Sequence, residues 1–471
     1  MEQKGPVQVE RRAWMALAVS TLAALLTVID ISIVNVAFPS IRRDLGATEA
    51  GLSWVLSGYS VAVGAFLLLA GRMADKEGRR RLFMIGVAVF IVGSLASGLA
   101  PTTGWLIASR VIQGIGGSIL SPASLSMVLP EFPHERHSTV IGVWGASAAL
   151  GAAIGPSFGA VLLDTLSWRW VFLVNVPLGL IILILTPRFV HESRDPEARG
   201  RFDLVGVPAG TLGVAFLLLA VVQGGDWGYL SNRTILAAAV GLVFIGVLVY
   251  RSMVHPRPLL DLDLFRFRSF WSAAAGQVFF GTAFIAVVLF NTLLLQELWG
   301  WSALAAGFGV VPGPALAAIL GGPVGSVADR IGHRNLLVVG SLSAAASPLM
   351  LLTRVGEQSD YIATMLPASL LLGVGVACSF ATFASLGLKE VSPTRYATAS
   401  ATLRTTSQVG FASGVAIAIA VFQAGTSKGF LVAFDRAWAF MAVTFLVGAF
   451  FCAIACPPRS KVQAMVASSA T

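Results

Sequence analysis

Charged residues are scarce: Asp, Glu, Lys and Arg together make up 12% of the 471 residues. About 25% is usual in soluble domains, so the composition excludes an ordinary soluble protein. Hydrophobic residues make up 56% of the chain, which excludes a disordered protein. The net charge of +9 does not indicate nucleic-acid binding, because the basic residues lie in short clusters between apolar stretches.

The residues that build metal, disulfide and nucleotide sites are also few. The three cysteines lie inside apolar stretches and the five histidines outside them, without the spacing of a zinc site or a disulfide framework. None of the five lysines belongs to a G-x-x-x-x-G-K-[ST] phosphate loop, and no ring of like side chains repeats. A membrane enzyme, an ATP-driven pump and a channel are therefore all disfavoured.

The sequence does have fourteen long apolar stretches. Each suits a helix across a ~30 Å hydrocarbon layer, where backbone polar groups must pair within the segment. They cover residues 14–40, 52–72, 81–100, 105–129, 138–163, 168–187, 203–223, 233–251, 270–298, 303–328, 334–353, 361–388, 399–424 and 434–456. The sequence therefore predicts an all-α polytopic membrane protein with fourteen transmembrane helices.

Lysine and arginine orient these stretches. With the N-terminus placed in the cytoplasm and residues at the ends of stretches counted with the adjoining side, 23 of the 32 basic residues fall on the cytoplasmic side and seven outside, and only Arg110 and Arg404 lie deeper inside stretches. This bias predicts that both termini are cytoplasmic. The first stretch is too long for a signal-peptide core, so we expect it to remain as the first membrane helix.

Two segments, residues 71–80 and 325–334, repeat the pattern G-x-x-x-D-[RK]-x-G-x-R. Each follows the second stretch of a block of six. The chain is therefore predicted to form two six-helix bundles with the seventh and eighth stretches inserted between them. The expected domains are residues 1–201, 202–252 and 253–471. Repeated bundles around a binding site at the membrane midplane are typical of secondary transporters.

The chain resembles the major facilitator superfamily, and within it the fourteen-helix drug:proton antiporters. The repeated loop motif carries the resemblance to the superfamily, and residues 30–39, 168–179 and 202–206 are similar to the fourteen-helix branch. The resemblance implies the major facilitator fold, a bacterial cytoplasmic membrane, protons as coupling ion without another cofactor, and a small lipophilic substrate. We expect a monomer in contact with membrane lipids and no nucleic-acid partner.

Asp30 is the only acid deep inside a stretch, where a carboxylate costs on the order of 3 kcal/mol or more. At ~1.5 Å per residue from the outer ends of their stretches, Asp30 lies ~15 Å deep, Gln113 ~12 Å and Arg110 ~8 Å, so Arg110 can extend towards Asp30. Burial favours a neutral carboxyl and a nearby arginine favours a charged one, so a change in their geometry would move a proton. An ion pair that only fixes two helices is the alternative.

The resemblance adds a role to this pair. Arg110-x-x-Gln113-Gly114 matches the superfamily's fourth-helix motif, whose arginine is implicated in proton coupling. Asp30, Arg110 and Gln113 are thus the candidate proton-coupling residues.

The loop motifs predict a gate at the cytoplasmic face, because the resemblance implies that such residues close this face. The candidates are Asp75, Arg79, Asp329, Arg330 and Arg334. A carboxylate among them is expected on the positive N-terminus of a neighbouring helix, such as that of the thirteenth stretch. Arg404, ~8 Å inside that stretch, belongs to the gate or extends to the membrane surface. The positive-inside rule alone explains some of these arginines but not the aspartates.

Gly151, Gly155, Pro156 and Gly159 form a motif similar to the antiporter pattern G-x-x-x-G-P-x-x-G-G, with Ala160 in place of the last glycine. Glycines four residues apart let another backbone approach closely, so we expect this motif to form the seam between the two halves. Ordinary packing of small residues is the alternative.

The substrate cavity is expected to be lined by aromatic and amide side chains. The candidates are Asn35, Tyr59, Gln277, Phe280, Phe284, Asn291, Phe380, Phe383, Gln408 and Phe411. Each of these has packing between helices or contact with lipid as its alternative role.

Taken together, the sequence predicts a proton-coupled exporter of lipophilic, cationic compounds that works by alternating access. Export of one specific antibiotic, lipid or metabolite is the alternative function.

Overall fold

A computed structural model describes residues 10–133, 136–194, 203–255, 258–356, 358–427 and 429–458. Within these ranges the chain is helical apart from short connections, and no residue is in a β-strand. Fourteen of its helical segments are long and apolar enough to cross a membrane. The predicted all-α polytopic fold is therefore confirmed.

The helices follow the predicted blocks. The first six spans are α1 (Arg11–Leu45), α2 (Glu49–Glu77), α3 (Arg79–Gly98), α4 (Thr103–Val128), α5 (His137–Thr165) and the pair α6 (Trp170–Leu173) and α7 (Asn175–Phe189). The inserted spans are α8 (Gly206–Trp227) and α9 (Asn232–Val254). The last six are α10 (Arg268–Leu293), the pair α11 (Ala303–Gly309) and α12 (Pro312–Ile331), α13 (His333–Arg354), α14 (Leu366–Leu388), α15 (Tyr396–Thr426) and α16 (Phe430–Ala455). The boundary expected after residue 252 falls inside α9, and the one after residue 201 lies outside the described residues.

Polar caps and two glycines set several helix ends. The hydroxyls of Thr48 and Thr102 accept hydrogen bonds from backbone N–H groups in the first turns of α2 and α4, which pairs a donor that the helix itself leaves free. Gly78 and Gly332, the second glycines of the two loop motifs, have φ of +112° and +90°. L side chains rarely adopt this conformation, so glycine lets α2 turn directly into α3, and α12 into α13.

Each half packs mainly within itself, and two helix pairs make the largest contacts between the halves. In the first half α1 packs on α5 and α2 on α4, and in the second α10 packs on α15 and α13 on α14 and α16. Between the halves α5 lies against α12, and α2 against α15. The inserted α8 packs on α9 and on α2. We use "motif end" for the end of the bundle at which Asp75 and Arg79 lie, which the charge bias predicts to face the cytoplasm.

The glycine motif of α5 lies inside the first half and not between the halves. A Cβ atom at Gly155 would lie 2.4 Å from Ser32 Cβ, and one at Gly159 would lie 2.6 Å from Ile33 Cγ1. Both neighbours are on α1, and the side chain of Pro156 lies outside the described part of the chain. The expected location at the seam between the halves is therefore wrong. These glycines hold α5 against α1.

The seam itself uses the other face of α5. Gly142 precedes Gly151 by nine residues, which at ~100° per residue places it on the opposite side of the helix. A Cβ atom at Gly142 would lie 2.3 Å from the carbonyl oxygen of Gly321, and one at Gly325 would lie 2.4 Å from that of Ser138. The backbones of α5 and α12 therefore touch near the motif end, where no side chain fits between them.

Candidate functional site

Asp30 lies fully buried in α1 and accepts hydrogen bonds from three side chains. Arg110 Nη1 donates to Oδ2 at 2.7 Å, and the amides of Gln113 and Asn175 each donate to Oδ1 at 2.8 Å. All four side chains have 0% exposure. The structure thus brings together Asp30, Arg110 and Gln113, as the depth estimates indicated, and adds Asn175. Three donors, one of them cationic, therefore converge on one buried carboxyl group.

Ser94 of α3 ties this group to two further helices. Its hydroxyl accepts from the amides of Gln113 and Asn175 at 3.0 Å each and donates to the carbonyl oxygen of Phe172 at 2.8 Å. Helix α4 approaches closely because Gly93 has no side chain: a Cβ there would lie 2.5 Å from the backbone nitrogen of Gln113. The network therefore spans α1, α3, α4 and the break between α6 and α7, all in the first half.

Ser94 and Asn175 were not among the site residues predicted from the sequence. Asn175 was inside the segment 168–179 that carried the family resemblance, and an amide at mid-depth of an apolar stretch was the available signal. Ser94 gave no signal, because serine is common in membrane helices and bonds readily to its own backbone.

The guanidinium of Arg110 makes its ion pair through a single nitrogen. Its centre lies 4.2 Å from the ring centroid of Tyr59 and 5.6 Å from that of Phe172. Nε and Nη2 have no hydrogen-bond partner among the described residues. Tyr59 was expected to line the substrate cavity, but it is buried and covers Arg110 instead, so this expectation is corrected. Because two donor nitrogens are free, Arg110 has the capacity to take another partner when the helices move.

Asp75 closes the motif end by binding the other half. Its Oδ1 accepts from Arg79 Nη2 at 2.7 Å, and its Oδ2 accepts from the backbone N–H and the hydroxyl of Thr398 at 2.8 and 2.7 Å. Thr398 is in the first turn of α15, so the carboxylate occupies the positive end of that helix dipole, as the sequence suggested. Arg79 adds bonds to the carbonyl oxygens of Pro393 and Thr394 at 2.6 and 2.8 Å. Both charged side chains are buried.

The second copy of the loop motif makes a different contact. The side chains of Asp329 and Arg330 lie outside the described part of the chain, and half-buried Arg334 has no hydrogen bond or ion pair to a described residue. Its neighbour His333 instead places Nε2 2.9 Å from Ser385 Oγ, which lies 2.7 Å from Ser138 Oγ of α5. This buried chain is a further link between the halves, and no motif in the sequence indicated it.

Arg404 lies between the halves and not at the membrane surface. Its guanidinium lies 4.4 Å from the ring centroid of Trp144 on α5, a cation–π contact. It touches none of the charged gate residues among the described side chains. Arg404 therefore lies just inside the gate, and extension to the membrane surface does not occur in this structure.

The cavity candidates divide into two groups. Four of them are buried within the second half in the described state, which agrees with their alternative role of packing between helices: Gln277, Phe280, Asn291 and Phe383. Phe280 shows the reason, because its ring packs 5.1–6.1 Å from those of Phe380, Phe383 and Phe445 and so fills the space between three helices. Phe284, Phe380, Gln408 and Phe411 are partly exposed. The side chain of Asn35 lies outside the described residues.

A sequence profile of the Major Facilitator Superfamily matches residues 20–415. The chain belongs to this superfamily. It is 34% identical over 420 residues to the multidrug resistance protein Stp of Mycobacterium tuberculosis, covering 88% of this chain and 77% of Stp. It is also 34% identical to the puromycin resistance protein pur8 of Streptomyces alboniger, covering 86% of this chain and 81% of pur8.

The fold of this superfamily member agrees with a solved relative. The structure of the proton:xylose symporter XylE superposes on 96% of this chain with a TM-score of 0.67 at 15% identity, which shows a shared fold. The resemblance to the superfamily's drug:proton antiporter branch is confirmed, and the protein is a multi-pass membrane transporter and not an enzyme.

Gly142→Leu should strongly impair this transporter, because the seam between α5 and α12 leaves no room for a side chain. Overpacking costs about 1–3 kcal/mol, so we expect the state closed at the motif end to lose on the order of tenfold in population. Gly246→Leu on α9 is the matched control, since a Cβ there meets nothing within 4 Å. Transport by the two variants is compared at equal expression. Equal transport would show that the seam opens and closes without this contact.

Proposed function

We propose that the protein exports lipophilic compounds in exchange for protons by alternating access, with Asp30 and Arg110 as the proton switch. The observation that carries the proposal is the fully buried ion pair, which Arg110 makes through one nitrogen while two others stay unpaired. The names of Stp and pur8, a multidrug resistance protein and a puromycin resistance protein, support drugs as the cargo.

The switch works through the donors around one carboxylate. In the proposed cycle, the described state is the one in which Asp30, as a carboxylate, is held by Arg110, Gln113 and Asn175. If helix movement separates Arg110 from Asp30, burial favours the neutral carboxyl and Asp30 takes up a proton. Asn175 Oδ1 has no partner among the described residues and suits the new O–H donor. When Arg110 returns, the proton is released.

Two helices connect this switch to the gate. Arg110 lies on α4, and Ser126, near the other end of α4, accepts a hydrogen bond from Arg79 at 3.2 Å. The two positions are 16 residues apart, ~24 Å along the helix. Asp30 lies on α1, which packs on α5, and α5 carries the seam glycine Gly142. A shift of α1 against α4 at the switch would therefore also act at the motif end, through the Arg79–Ser126 contact and through the seam at Gly142.

The proposal places the protein in a bacterial plasma membrane with the motif end and both termini in the cytoplasm. It needs protons as the coupling ion, no other cofactor and no second copy of the chain. Labelling of single cysteines at the two chain ends in intact cells tests the orientation. Labelling of either terminus from outside would contradict it.

Purified protein in liposomes with an imposed pH gradient tests the function. We expect a lipophilic dye to accumulate against its own gradient, with proton movement in the opposite direction reported by a pH probe, and a protonophore to stop both. Dye transport at the same rate with and without the pH gradient would contradict proton coupling. A panel that adds puromycin and unrelated drugs to the dye separates broad export from export of one compound.

A further inference from the structure

The charged side chain of Arg404 lies deep in the bundle and has no charged partner among the described side chains. It lies eight residues into α15, ~12 Å from the start of the helix. It makes no hydrogen bond or ion pair with a described residue, and it is partly exposed. Trp144 makes a cation–π contact with the guanidinium, whose centre lies 4.4 Å from the ring centroid. Arginine carries five N–H donors, and none of them binds a described acceptor, so they are available to a ligand.

The tryptophan under Arg404 is held in place. Trp144 is buried, and its indole Nε1 donates to Ser124 Oγ at 3.2 Å. The carbonyl oxygen of Ser124 in turn accepts from Ser20 at 2.8 Å. The two sides of this contact belong to opposite halves of the transporter, so Arg404 is positioned by the first half although α15 carries it.

Arg404 and Trp144 form a layer directly inside the closed gate. Thr398, which binds Asp75, precedes Arg404 by six residues, ~9 Å along α15. Gly142 of the seam precedes Trp144 by two residues on α5. A compound that enters between the halves from the opposite end therefore meets Arg404 last, before the closed contacts of the motif end.

One face of α15 continues from Arg404 towards the opposite end. Gln408 and Phe411 follow it by four and seven residues and so share its face. Gln408 makes no hydrogen bond with a described residue. The ring of Phe411 lies 6.3 Å from that of Phe284 and 6.1 Å from that of Phe380, and all three rings are partly exposed. A guanidinium, an amide and an aromatic wall thus follow one another over ~10 Å.

The two buried acids of the first half, Asp30 and Asp75, are already bound by other residues. Asp30 is sealed within its network, and Asp75 is bound by Arg79 and α15. Among the described side chains, none supplies a free carboxylate to a cation lying between Arg404 and Phe411. A positively charged compound there would be repelled by Arg404, whereas a carboxylate or phenolate would gain a charge-assisted hydrogen bond.

We infer that this transporter selects aromatic compounds that carry a negative charge, with Arg404 binding the anionic group and Phe284, Phe380 and Phe411 the ring system. The inference rests on the proposed export function and replaces the cationic substrates that the sequence predicted. Arg404 is then the residue that determines the charge of the substrate.

Fluorescein and rhodamine 123 test the charge preference, because they share a ring system and are anionic and cationic at mildly alkaline pH. Binding of each to the purified full-length protein in detergent is measured by fluorescence polarisation. We expect fluorescein to bind about tenfold more tightly, the size of a hydrogen bond to a charged group. Arg404→Gln should remove the preference and Arg404→Lys should keep most of it. Arg354→Gln, at an exposed arginine of α13, is the control and should bind like the wild type.

Three results would overturn the inference: rhodamine 123 bound as tightly as fluorescein, a preference unchanged in Arg404→Gln, or no binding of either dye by correctly eluting protein. Arg404→Lys keeps the test valid if Arg404→Gln does not fold, because the preference must then persist in a folded variant. Binding in detergent needs no pH gradient, whereas the liposome experiment does. Failure of the substrate assignment and failure of proton-coupled export are therefore seen in different measurements.

Discussion

Asp30→Asn should abolish proton-driven export while the protein still folds and inserts. Asparagine has nearly the shape of aspartate but cannot gain or lose a proton. Its single carbonyl oxygen can still accept from Arg110 or Gln113, so part of the network remains. We expect accumulation of substrate under an imposed pH gradient to fall to that of protein-free liposomes. Exchange of labelled for unlabelled substrate without a gradient should continue, because it requires alternating access but no net proton transfer.

Asp44→Asn is the matched control, since Asp44 lies on the same helix, in its last turn. The indole of Trp168 and the guanidinium of Arg169 donate to this carboxylate at 2.9 and 2.6 Å. These hydrogen bonds lower the pKa of Asp44, so it stays charged near neutral pH and carries no proton. Gradient-driven export should be normal in this variant. Undiminished export by Asp30→Asn would mean that the coupling proton binds elsewhere, with exposed Glu297 after α10 as the next candidate.

The sequence identifies Asp30 as a site residue but not Asn175, although both belong to the same hydrogen-bond network. Charges are so rare in the apolar stretches that one acid and one arginine at similar depth point to each other. The depth of a residue in the membrane follows from the number of residues between it and the end of its stretch. Asn175 donates hydrogen bonds of 2.8 Å to Asp30 and 3.0 Å to Ser94, but uncharged polar residues are common in these stretches. Their contacts depend on how each helix is rotated and packed, which a single sequence does not specify.

The same limit applies to the packing motifs. The spacing of Gly151, Gly155 and Gly159 correctly indicated that a neighbouring backbone comes close, but the neighbour is α1 and not the other half. The number of spans was predictable, because each must be about 20 apolar residues long. Which aromatic rings stay partly exposed was not predictable: both Phe280 and Phe411 lie in apolar stretches, but Phe280 is buried and Phe411 is partly exposed.

Asp75→Asn should open the motif end. Asp75 accepts five hydrogen bonds, from Arg79, Ala397 and Thr398, and three of these come from the other half. An asparagine has one acceptor oxygen, and its NH2 group would face donors of Arg79 or Thr398. Arg79 would also stay buried without its counter-charge. Removing one partner of a buried ion pair costs about 3–5 kcal/mol, so the closed arrangement should lose on the order of 100-fold or more in population.

Spin labels on Glu77→Cys and Ser392→Cys measure this opening, because both positions are exposed at the motif end, one in each half. The three native cysteines are buried and leave the labelling specific. We expect one short distance in the parent protein and a longer one when Asp75→Asn is added, with export lost. Asp263→Asn is the control. This acid pairs with Arg266 at 3.3 Å, and because both side chains are exposed, the ion pair contributes little to stability. An unchanged distance in the Asp75 variant would show that the seam of Gly142 and the His333–Ser385–Ser138 link hold the motif end closed without this carboxylate.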